Sequence, residues 1–402
     1  MAEPDHTWRF GNCELDAARR ELHVDRQSRN IEPKAFDLLV YLLEQRERVV
    51  GHDELLDTLW PDVIVTEAAL SRTIMKARKA VADASNPQEV IKTIPKRGYR
   101  FVARLLNAPA AVASGQGAEP ANLSPVNFVQ SEGLHIAWRY LGEGSPAMLF
   151  VPGFVSHLDM RYRIAPLSRF DERLAATRRL ISFDKRGMGL SERVAYPPTI
   201  QNTVTDMLAV LDAAEVEKAI LFGVSEGGPA TAQFAAEHPE RTAAVIMYGA
   251  FAKGVRSKDY PWARSRRLYD AWLDNFIGAW GEPASLEFFA PNIAMNPQVR
   301  DEWSRYLRSA ATPGSVRSIL EALREIDVRP ILPNIQAPTL VLHRRGDLIA
   351  KARAGEDIAA RIPNARFKLL DGDDHWWFVG DSASILNEIE NFLDTLPAAA
   401  PQ

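Results

Sequence analysis

Apolar positions in the first hundred or so residues change from strand-like to helical spacing. Two short segments, Thr7–Phe10 and Arg20–Val24, favour strands. Apolar residues then recur every three or four positions in three segments, which predicts three helices. The repeating positions are Phe36, Leu39, Val40 and Leu43 after Pro33, then Leu55, Leu56 and Leu59 before Pro61, then Leu70, Ile74, Ala77 and Val81 within Thr66–Val81. Two further strands, 90–94 and 99–102, flank the turn Pro95–Gly98, which completes an α+β pattern.

A different pattern begins near residue 126, where short and almost continuous apolar segments alternate with helical ones. Such segments are typical of parallel strands that are buried on both faces of a sheet. The predicted strands are Met148–Val151, Leu180–Phe183, Ala219–Phe222, Ala244–Tyr248, Thr339–His343 and Phe367–Leu370. Between about 251 and 336 the chain is helical and rich in aromatic residues. We therefore expect a mostly parallel sheet with a helical cap over its carboxyl edge.

Residues 107–125 separate the two patterns, because they are small, polar and rich in proline and glycine. The sequence therefore predicts a multidomain chain. Its parts are an N-terminal domain at 1–106, a flexible linker at 107–125, and a larger domain at 126–402 with the cap at about 251–336.

Composition adds the compartment in which we expect the protein. The chain has one cysteine, Cys13, so an intramolecular disulfide cannot form, which suits a reducing cytoplasm. The N-terminus lacks the basic and apolar regions of a signal peptide. No apolar segment approaches the roughly 18 residues that span a bilayer. We expect a soluble, cytoplasmic protein without a membrane partner.

Charge indicates a function for the first domain. The whole chain carries a net charge of −4, but residues 66–104 hold nine Lys and Arg against three Asp and Glu. Positive charge concentrated in one segment is typical of a surface that faces phosphates. Three helices followed by a basic hairpin describe a winged helix-turn-helix. The third helix fits the major groove, where Arg and Lys donate to guanine and Ser or Thr contacts several bases.

A family resemblance sharpens this interpretation. The segments 59–61, 70–79 and 91–102 resemble the second helix, third helix and C-terminal hairpin of OmpR/PhoB-type winged helices, especially the CadC/ToxR-like branch. The resemblance covers roughly residues 6–104 and implies binding to double-stranded DNA. It implies two sets of contacts: Ser71, Arg72, Thr73 and Lys76 nearest the bases, and Arg78, Lys79, Lys96, Arg97 and Arg100 on the backbone and in the wing. The alternative for these residues is a solvated helix face and a charged turn.

The strongest chemical signal is Gly223–Gly227, which fits the Gly-x-Ser-x-Gly nucleophile elbow of serine hydrolases. An apolar strand precedes it and a segment suited to a helix follows, as this motif requires. A serine hydroxyl needs a base, an orienting carboxylate and donors for the developing oxyanion. Asp347 and His375 follow later strands in the order Ser, Asp, His, so Ser225, Asp347 and His375 are the predicted catalytic residues. Asp371, Asp373 and Asp374 are weaker candidates for the carboxylate.

The oxyanion donors and the ligand pocket are less strongly marked. The loop after Met148–Val151 predicts the backbone N–H groups of Phe154 and Glu226 as the two donors. His157 is a possible pocket residue, although a loop histidine without a role is the more common case. None of these motifs calls for a cofactor or a metal ion.

The segments Phe183–Ser191 and Gly223–Pro229 look most like the α/β-hydrolase domains that are fused to signalling modules, including nucleotide cyclases. This resemblance covers about 127–396 and implies that Arg186 braces loops. A serine at the elbow argues against haloalkane dehalogenases and epoxide hydrolases, which have an aspartate there.

Three functional hypotheses follow. The first is a transcription regulator, expected as a homodimer, whose second domain binds a small, largely apolar ester, lactone or amide and can hydrolyse it. The second is a serine hydrolase for which the winged helix is only a tether. The third is a ligand sensor without catalysis. We expect neither a phosphoacceptor receiver domain nor a membrane helix, so the input signal must come from the second domain.

Overall fold

A computed structural model of the chain describes residues 7–17, 19–25, 27–46, 49–60, 65, 67–83, 88, 90–95, 97–103 and 119–396. The chain divides into two compact units, Met1–Ala113 and Ser114–Gln402. Thr66 at the predicted start of the third helix, Lys96 in the wing and most of the predicted linker lie outside the described residues.

The first unit opens with an antiparallel sheet of four strands in the order β1-β2-β3-β4. Three helices and a two-stranded hairpin follow. The strands are β1 Thr7–Phe10, β2 Cys13–Asp16, β3 Glu21–Val24, β4 Gln27–Ser28, β5 Ile91–Ile94 and β6 Gly98–Phe101, and the helices are α1 Pro33–Glu44, α2 His52–Leu59 and α3 Glu67–Ala80. The sequence did not predict β2, which is as long as β1, or β4, which has only two residues.

The core of the first unit uses the apolar positions that the helical spacing indicates. Phe36 and Leu39 of α1 and Leu70 and Ile74 of α3 are buried together with residues from the sheet and the hairpin. Helix α1 begins at Pro33, whose fixed φ suits the first turn.

The hairpin β5–β6 is attached to the rest of the first unit through its backbone. The N–H of Val50 donates to the carbonyl of Tyr99 at 2.8 Å, and the N–H of Tyr99 donates back at 2.9 Å. Gly98 has φ of +132°, and a Cβ there would lie 1.9 Å from the carbonyl oxygen of Val50. Only glycine permits this close approach, which fixes where the turn ends and β6 begins.

The second unit is built on an eight-stranded sheet in the order β14-β13-β12-β11-β9-β10-β8-β7. Strands β9 to β14 are parallel, whereas β8 is antiparallel to β10 and β7 is antiparallel to β8. The strands are β7 Asn127–Ser131, β8 Leu134–Leu141, β9 Met148–Val151, β10 Leu180–Phe183, β11 Ala219–Val224, β12 Thr242–Tyr248, β13 Thr339–Arg344 and β14 Ala365–Leu370.

Every residue of β9, β10, β11 and β13 is buried, because helices cover both faces of the sheet. The covering helices are α4 Leu158–Arg163, α5 Ala165–Leu174, α6 Ile200–Ala213, α7 Gly227–Glu237, α12 Ala352–Arg361 and α13 Ser382–Asp394. This is the mostly parallel sheet that the apolar strands predicted.

Four helices interrupt the alternation between β12 and β13, in the region where the sequence predicted a cap. They are α8 Arg266–Gly278, α9 Leu286–Phe289, α10 Pro297–Ala310 and α11 Pro313–Arg324. Their aromatic side chains pack on one another and on the loops that follow the strands: Phe276 stacks on Trp272, and Trp303 packs on Trp376. Among the described residues, no helix is both long and apolar enough to cross a membrane.

Candidate functional sites

The turn between β11 and α7 places Ser225 in a strained conformation. Ser225 has φ of +52°, which few residues other than glycine adopt. Its N–H donates to the carbonyl of Tyr248 at 2.9 Å, which ties the turn to the neighbouring strand β12. Strain of this kind persists only where the surroundings hold it in place, and it exposes the side chain at the carboxyl edge of the sheet.

The two glycines of the motif leave room for this turn. A Cβ on Gly223 would lie 2.2 Å from Oγ1 of Thr231, and a Cβ on Gly227 would lie 2.3 Å from the carbonyl oxygen of Val151. At these distances a Cβ atom would overlap its neighbour, so neither position can hold a residue larger than glycine. The spacing Gly-x-Ser-x-Gly is therefore a packing requirement of the strand, turn and helix around Ser225.

Asp347 and His375 meet beyond the ends of β13 and β14. The Nδ1 atom of His375 lies 2.7 Å from Oδ2 of Asp347. The other carboxylate oxygen of Asp347 accepts the N–H groups of Ile349 at 2.8 Å and Ala350 at 3.0 Å. Since the carboxylate only accepts, Nδ1 of His375 carries the proton, and Nε2 is left as the basic nitrogen.

The environment keeps the Asp347 carboxylate ionised. Burial alone raises its pKa, but the attraction of His375 and the hydrogen bonds from His343 and His375 hold the pKa well below its usual range. His343, which sequence reasoning missed, is fully buried, and its Nε2 lies 2.8 Å from the carbonyl oxygen of Ala350 and 3.5 Å from Asp347. His343 is the penultimate residue of β13 and lies four residues before Asp347. Its position at the same strand end could have indicated a contact with Asp347.

Ser225 and His375 line one cavity, whose walls also include residues of the aromatic cap and of the strand ends. Within the described residues, Nε2 of His375 is buried and makes no hydrogen bond. Catalytic hydrogen bonds are often long before substrate binds, so this geometry suits a serine and its base in the free state.

The predicted oxyanion loop lies next to Ser225. A Cβ built on Gly153 would lie 3.6 Å from Cβ of Ser225, so the backbone at this point passes close to the serine. Phe154 is buried and stacks on Phe289 of the cap with ring centroids 5.7 Å apart. The side chain of Glu226 pairs with Lys185, a contact between two loops that the sequence did not indicate.

Two cavities flank Ser225. The first, of about 90 Å³, has mostly aromatic and aliphatic walls and includes His157, whose Nδ1 is buried and makes no hydrogen bond among the described residues. The second, of about 190 Å³, extends under α8 and α11. Phe154, Ser225 and Phe289 line both cavities. A ligand whose ester or amide bond lies beside Ser225 therefore has one cavity for each of its two parts.

The remaining motif residues of this unit have structural partners. Arg186 donates to Asp206 at 2.9 and 2.6 Å and to Glu132 at 2.8 Å, so it braces loops as the resemblance implied. Asp374 accepts two hydrogen bonds from Asn292, whereas the carboxylate that contacts the His375 ring is that of Asp347.

On the first unit, the solvent-facing side of α3 carries much of the predicted DNA-binding set. Ser71, Arg72, Lys76 and Lys79 are exposed. Lys76 pairs with Glu32 at 2.6 Å, but both side chains are more than half exposed, so the pair is weak. Met75, on the same side of the helix, is 63% exposed, and its apolar type gave no sign of this in the sequence.

The structure corrects two of the predicted DNA contacts. Thr73 is 8% exposed, and its hydroxyl donates to the carbonyl of Ala69 at 2.9 Å, so it faces the core of the unit. Arg78 donates to the carbonyl of Ile91 at 3.0 and 2.6 Å and to Thr93 at 2.8 Å, so it holds the hairpin to α3.

The hairpin itself presents cations to solvent. Arg97 and Arg100 are exposed, and Arg100 donates to the carbonyl of Arg46 at 3.2 Å. Together with Arg72 and Lys79 they leave exposed cations on both the helix and the hairpin, which is the distribution expected of a surface that binds phosphates.

Comparisons with known proteins agree with the two folds. Residues 146–381 match the family model of the alpha/beta hydrolase fold, and residues 26–101 match that of the C-terminal domain of transcriptional regulatory proteins.

Individual relatives of the second unit are enzymes. The chain is 30% identical to 3-oxoadipate enol-lactonase 2 of Acinetobacter baylyi over 194 residues, which are 48% of this chain and 70% of that protein. It is 28% identical to 2-hydroxymuconate semialdehyde hydrolase of Pseudomonas putida over 263 residues, 63% of this chain and 88% of that protein. An esterase from Exiguobacterium antarcticum, 21% identical, shares the fold with a TM-score of 0.58 over 67% of this chain and 99% of that one.

Proposed function

Since the chain belongs to the α/β-hydrolase fold family and joins that fold to a DNA-binding regulator domain, we propose that it is a transcription regulator controlled by a small molecule. The molecule binds beside Ser225 and is a largely apolar ester, lactone or amide. Ser225, His375 and Asp347 hydrolyse it.

One observation carries the proposal of hydrolysis. The contact of 2.7 Å between His375 and Asp347 leaves a basic nitrogen of His375 in the same cavity as the strained Ser225. Nucleophile, base and orienting carboxylate are the three groups that acyl transfer by serine needs. The two cavities on either side of Ser225 supply space for the acyl part and for the leaving group.

The reaction follows from these positions. Oγ of Ser225 attacks the carbonyl carbon while its proton passes to Nε2 of His375. The N–H groups of Phe154 and Glu226 stabilise the oxyanion. His375 then gives the proton to the departing alcohol or amine, which leaves an acyl-serine. A water molecule, deprotonated by His375, hydrolyses that ester and restores Ser225.

In the regulatory part of the proposal, the intact ligand and the empty site favour different affinities for DNA. A ligand shifts an equilibrium only by its differential affinity for two states. Hydrolysis would remove the ligand and reset the regulator. We further propose that a homodimer binds paired half-sites, as winged helices of this type commonly do.

Hydrolysis is tested with purified protein and Ser225→Ala on short-chain p-nitrophenyl esters and on lactones. We expect turnover by the natural sequence and background rates for the variant. Equal rates for the two proteins would overturn the proposed hydrolysis.

Regulation is tested by DNA binding to the region upstream of the protein's own coding sequence, with Arg72→Ala and Arg97→Ala as variants. We expect both to bind more weakly, and a bound substrate analogue to change the affinity of the natural protein. Undiminished binding by both variants would reject the proposed reading surface. A DNA affinity that no ligand alters would favour the second hypothesis, in which the winged helix is only a tether.

A further inference from the structure

Unpartnered polar atoms cluster in the first cavity beside Ser225. Eleven buried side-chain atoms among the described residues make no hydrogen bond, and six of them belong to residues that line this cavity. Buried polar groups in folded proteins are nearly always satisfied, so such a concentration needs an explanation. Nε2 of His375 is the atom that the proposed chemistry uses. The other five are Oγ of Ser156, Nδ1 of His157, Oγ of Ser182, Oδ1 of Asp184 and Nε1 of Trp377.

Asp184 is the most informative of them, because one of its oxygens is fixed and the other is not. Oδ2 accepts the N–H groups of Leu158 at 3.1 Å and Leu190 at 2.9 Å. A Cβ on Gly189 would lie 2.0 Å from the same oxygen, so the loop wraps tightly around it. The residue is fully buried. Oδ1 makes no hydrogen bond of full geometry among the described residues, although the neighbouring Ser156 hydroxyl is close enough to lower the pKa of the carboxyl.

Asp184 forms no salt bridge within the part of the chain that the structure describes, although His157 is close enough to lower the pKa of its carboxyl. Arg161 lines the same cavity, but its guanidinium is bound at 2.5 and 2.7 Å to both oxygens of the buried Asp171. Burial raises the pKa of the Asp184 carboxyl, since its charged form is poorly solvated there. A neutral polar group would satisfy Oδ1 at less cost than a second buried charge.

Trp377 supplies the complementary group. Its ring is held between Phe150, at a centroid distance of 5.4 Å, and Phe378, at 5.1 Å. The indole N–H is buried, donates to nothing among the described residues, and can only donate. A fixed acceptor and a fixed donor thus line one cavity whose other walls are mainly aromatic and aliphatic.

We propose that this cavity is a subsite for a hydroxyl or primary carboxamide carried by the acyl or alcohol part of an otherwise apolar substrate. Both groups donate and accept at once, so either can donate to Asp184 and accept from Trp377, and a hydrocarbon chain can do neither. This inference rests on the proposed binding of a small ester, lactone or amide beside Ser225. It adds that the substrate carries a polar group that binds in this cavity.

The test measures binding to Ser225→Ala, so it needs no turnover. Two matched pairs of ligands are titrated calorimetrically: p-nitrophenyl hexanoate against its 6-hydroxy derivative, and hexyl acetate against 6-hydroxyhexyl acetate. We expect the hydroxylated member of at least one pair to bind about tenfold tighter or more, because the hydrocarbon leaves two buried polar groups unpaired. Equal affinity in both pairs, a preference for the hydrocarbon, or no binding by folded protein would overturn the subsite.

Second-site variants locate the preference. Trp377→Phe, made in Ser225→Ala, removes the N–H but keeps a ring, and Asp184→Asn puts an amino group in place of the free oxygen. Each should reduce the preference several-fold. The matched control is Trp138→Phe, which removes an equally unpartnered buried N–H that does not line the cavity, and it should keep the full preference. A control that loses the preference as strongly would reject the assignment. If Ser225→Ala shows the preference while the natural protein cleaves no ester, the proposed hydrolysis fails and the subsite stands.

Discussion

The candidate functional groups of the two units differ in their exposure to solvent. Asp347 and His375 are 0% and 4% exposed, and hydrogen bonds to backbone groups and to each other fix them. On the first unit, Arg72 and Lys79 of α3 and Arg97 of the hairpin are all exposed. A buried site can hold charges and strained backbone in one arrangement, whereas an exposed helix face presents long side chains that adjust to the molecule they contact.

This difference in exposure indicates where single substitutions should have large effects. Electrostatic interactions are strong in a buried site and costly to leave incomplete. At an exposed surface they are screened, and each contact contributes little on its own. We therefore expect steep losses from changes near Ser225 and graded losses from changes on α3 and the hairpin.

The largest expected effect comes from Ser225→Ala. Loss of the nucleophile should reduce kcat for esters on the order of 10⁶-fold, since removal of the serine disables the whole set of groups. DNA binding without ligand should stay unchanged. Steady-state ester hydrolysis and a DNA-binding titration on the same preparation measure the two outcomes, and a loss of DNA affinity without ligand would mean that the two regions are not separable.

Asp347→Asn should cost about 10⁴-fold in kcat. The asparagine oxygen must accept the N–H groups of Ile349 and Ala350, which turns the amino group towards Nδ1 of His375. That nitrogen must then accept, so the proton moves to Nε2 and the base is lost. Ester hydrolysis gives the rate, and an unchanged Tm would show that the fold persists. Full activity would contradict the assigned tautomer.

Gly227→Ala should destabilise the second unit by about 2–3 kcal/mol, because the added Cβ would meet the carbonyl oxygens of Val151 and Pro152 at 2.3 and 2.7 Å. These are backbone atoms and cannot turn away. Urea unfolding measures the free energy.

Gly278→Ala is the control for that change. Gly278 ends α8, has no heavy atom within 4 Å of the added Cβ, and does not have a positive φ. Its replacement should leave stability unchanged or raise it by about 0.5 kcal/mol. Equal destabilisation by both substitutions would show that glycine content, and not the packing around Ser225, sets the requirement.

The sequence could predict the arrangement of the candidate catalytic residues in the second unit, because all three lie just beyond strand ends. Ser225, Asp347 and His375 each follow a parallel strand, and the carboxyl ends of such strands meet at one edge of the sheet. The meeting of Asp347 with His375 follows from that order. The pairing of Lys185 with Glu226 and the position of His343 depend on contacts between distant loops, which no local pattern encodes.

The sequence predicted less well which side chains of α3 are exposed, and its errors lie at the border between the buried and the exposed face. Thr73 comes three residues after Leu70 and one before Ile74, so its spacing places it beside the buried stripe, although its hydroxyl suggested a base contact. That signal was available. The partners of Arg78 lie on the hairpin at Ile91 and Thr93, and only the folded unit brings them within reach.

Arg72→Ala should weaken DNA binding by about 1–3 kcal/mol without loss of stability, because the side chain is exposed. Arg78→Ala is the matched substitution on the same helix, and it should lower the stability of the first unit, since it leaves the carbonyl of Ile91 without its donor. DNA titrations at two salt concentrations and the Tm of each variant separate the two roles. If Arg78→Ala weakens DNA binding while the Tm stays unchanged, Arg78 contacts DNA phosphates, as the sequence predicted.

The smallest effect is expected from Thr73→Val. This variant tests whether the exposure of a side chain is enough to distinguish the residues of α3 that contact DNA from those that belong to the core. Valine keeps the shape of the buried side chain and removes only the hydroxyl that donates to Ala69. DNA affinity should change by less than about 0.5 kcal/mol, as for positions that do not meet the ligand. Ser71→Ala, its exposed neighbour, is the comparison, and it should lose more. A larger loss for Thr73→Val than for Ser71→Ala in the same titration would mean that α3 rotates when it binds DNA, and that its exposed face in the free protein is not the face that reads the bases.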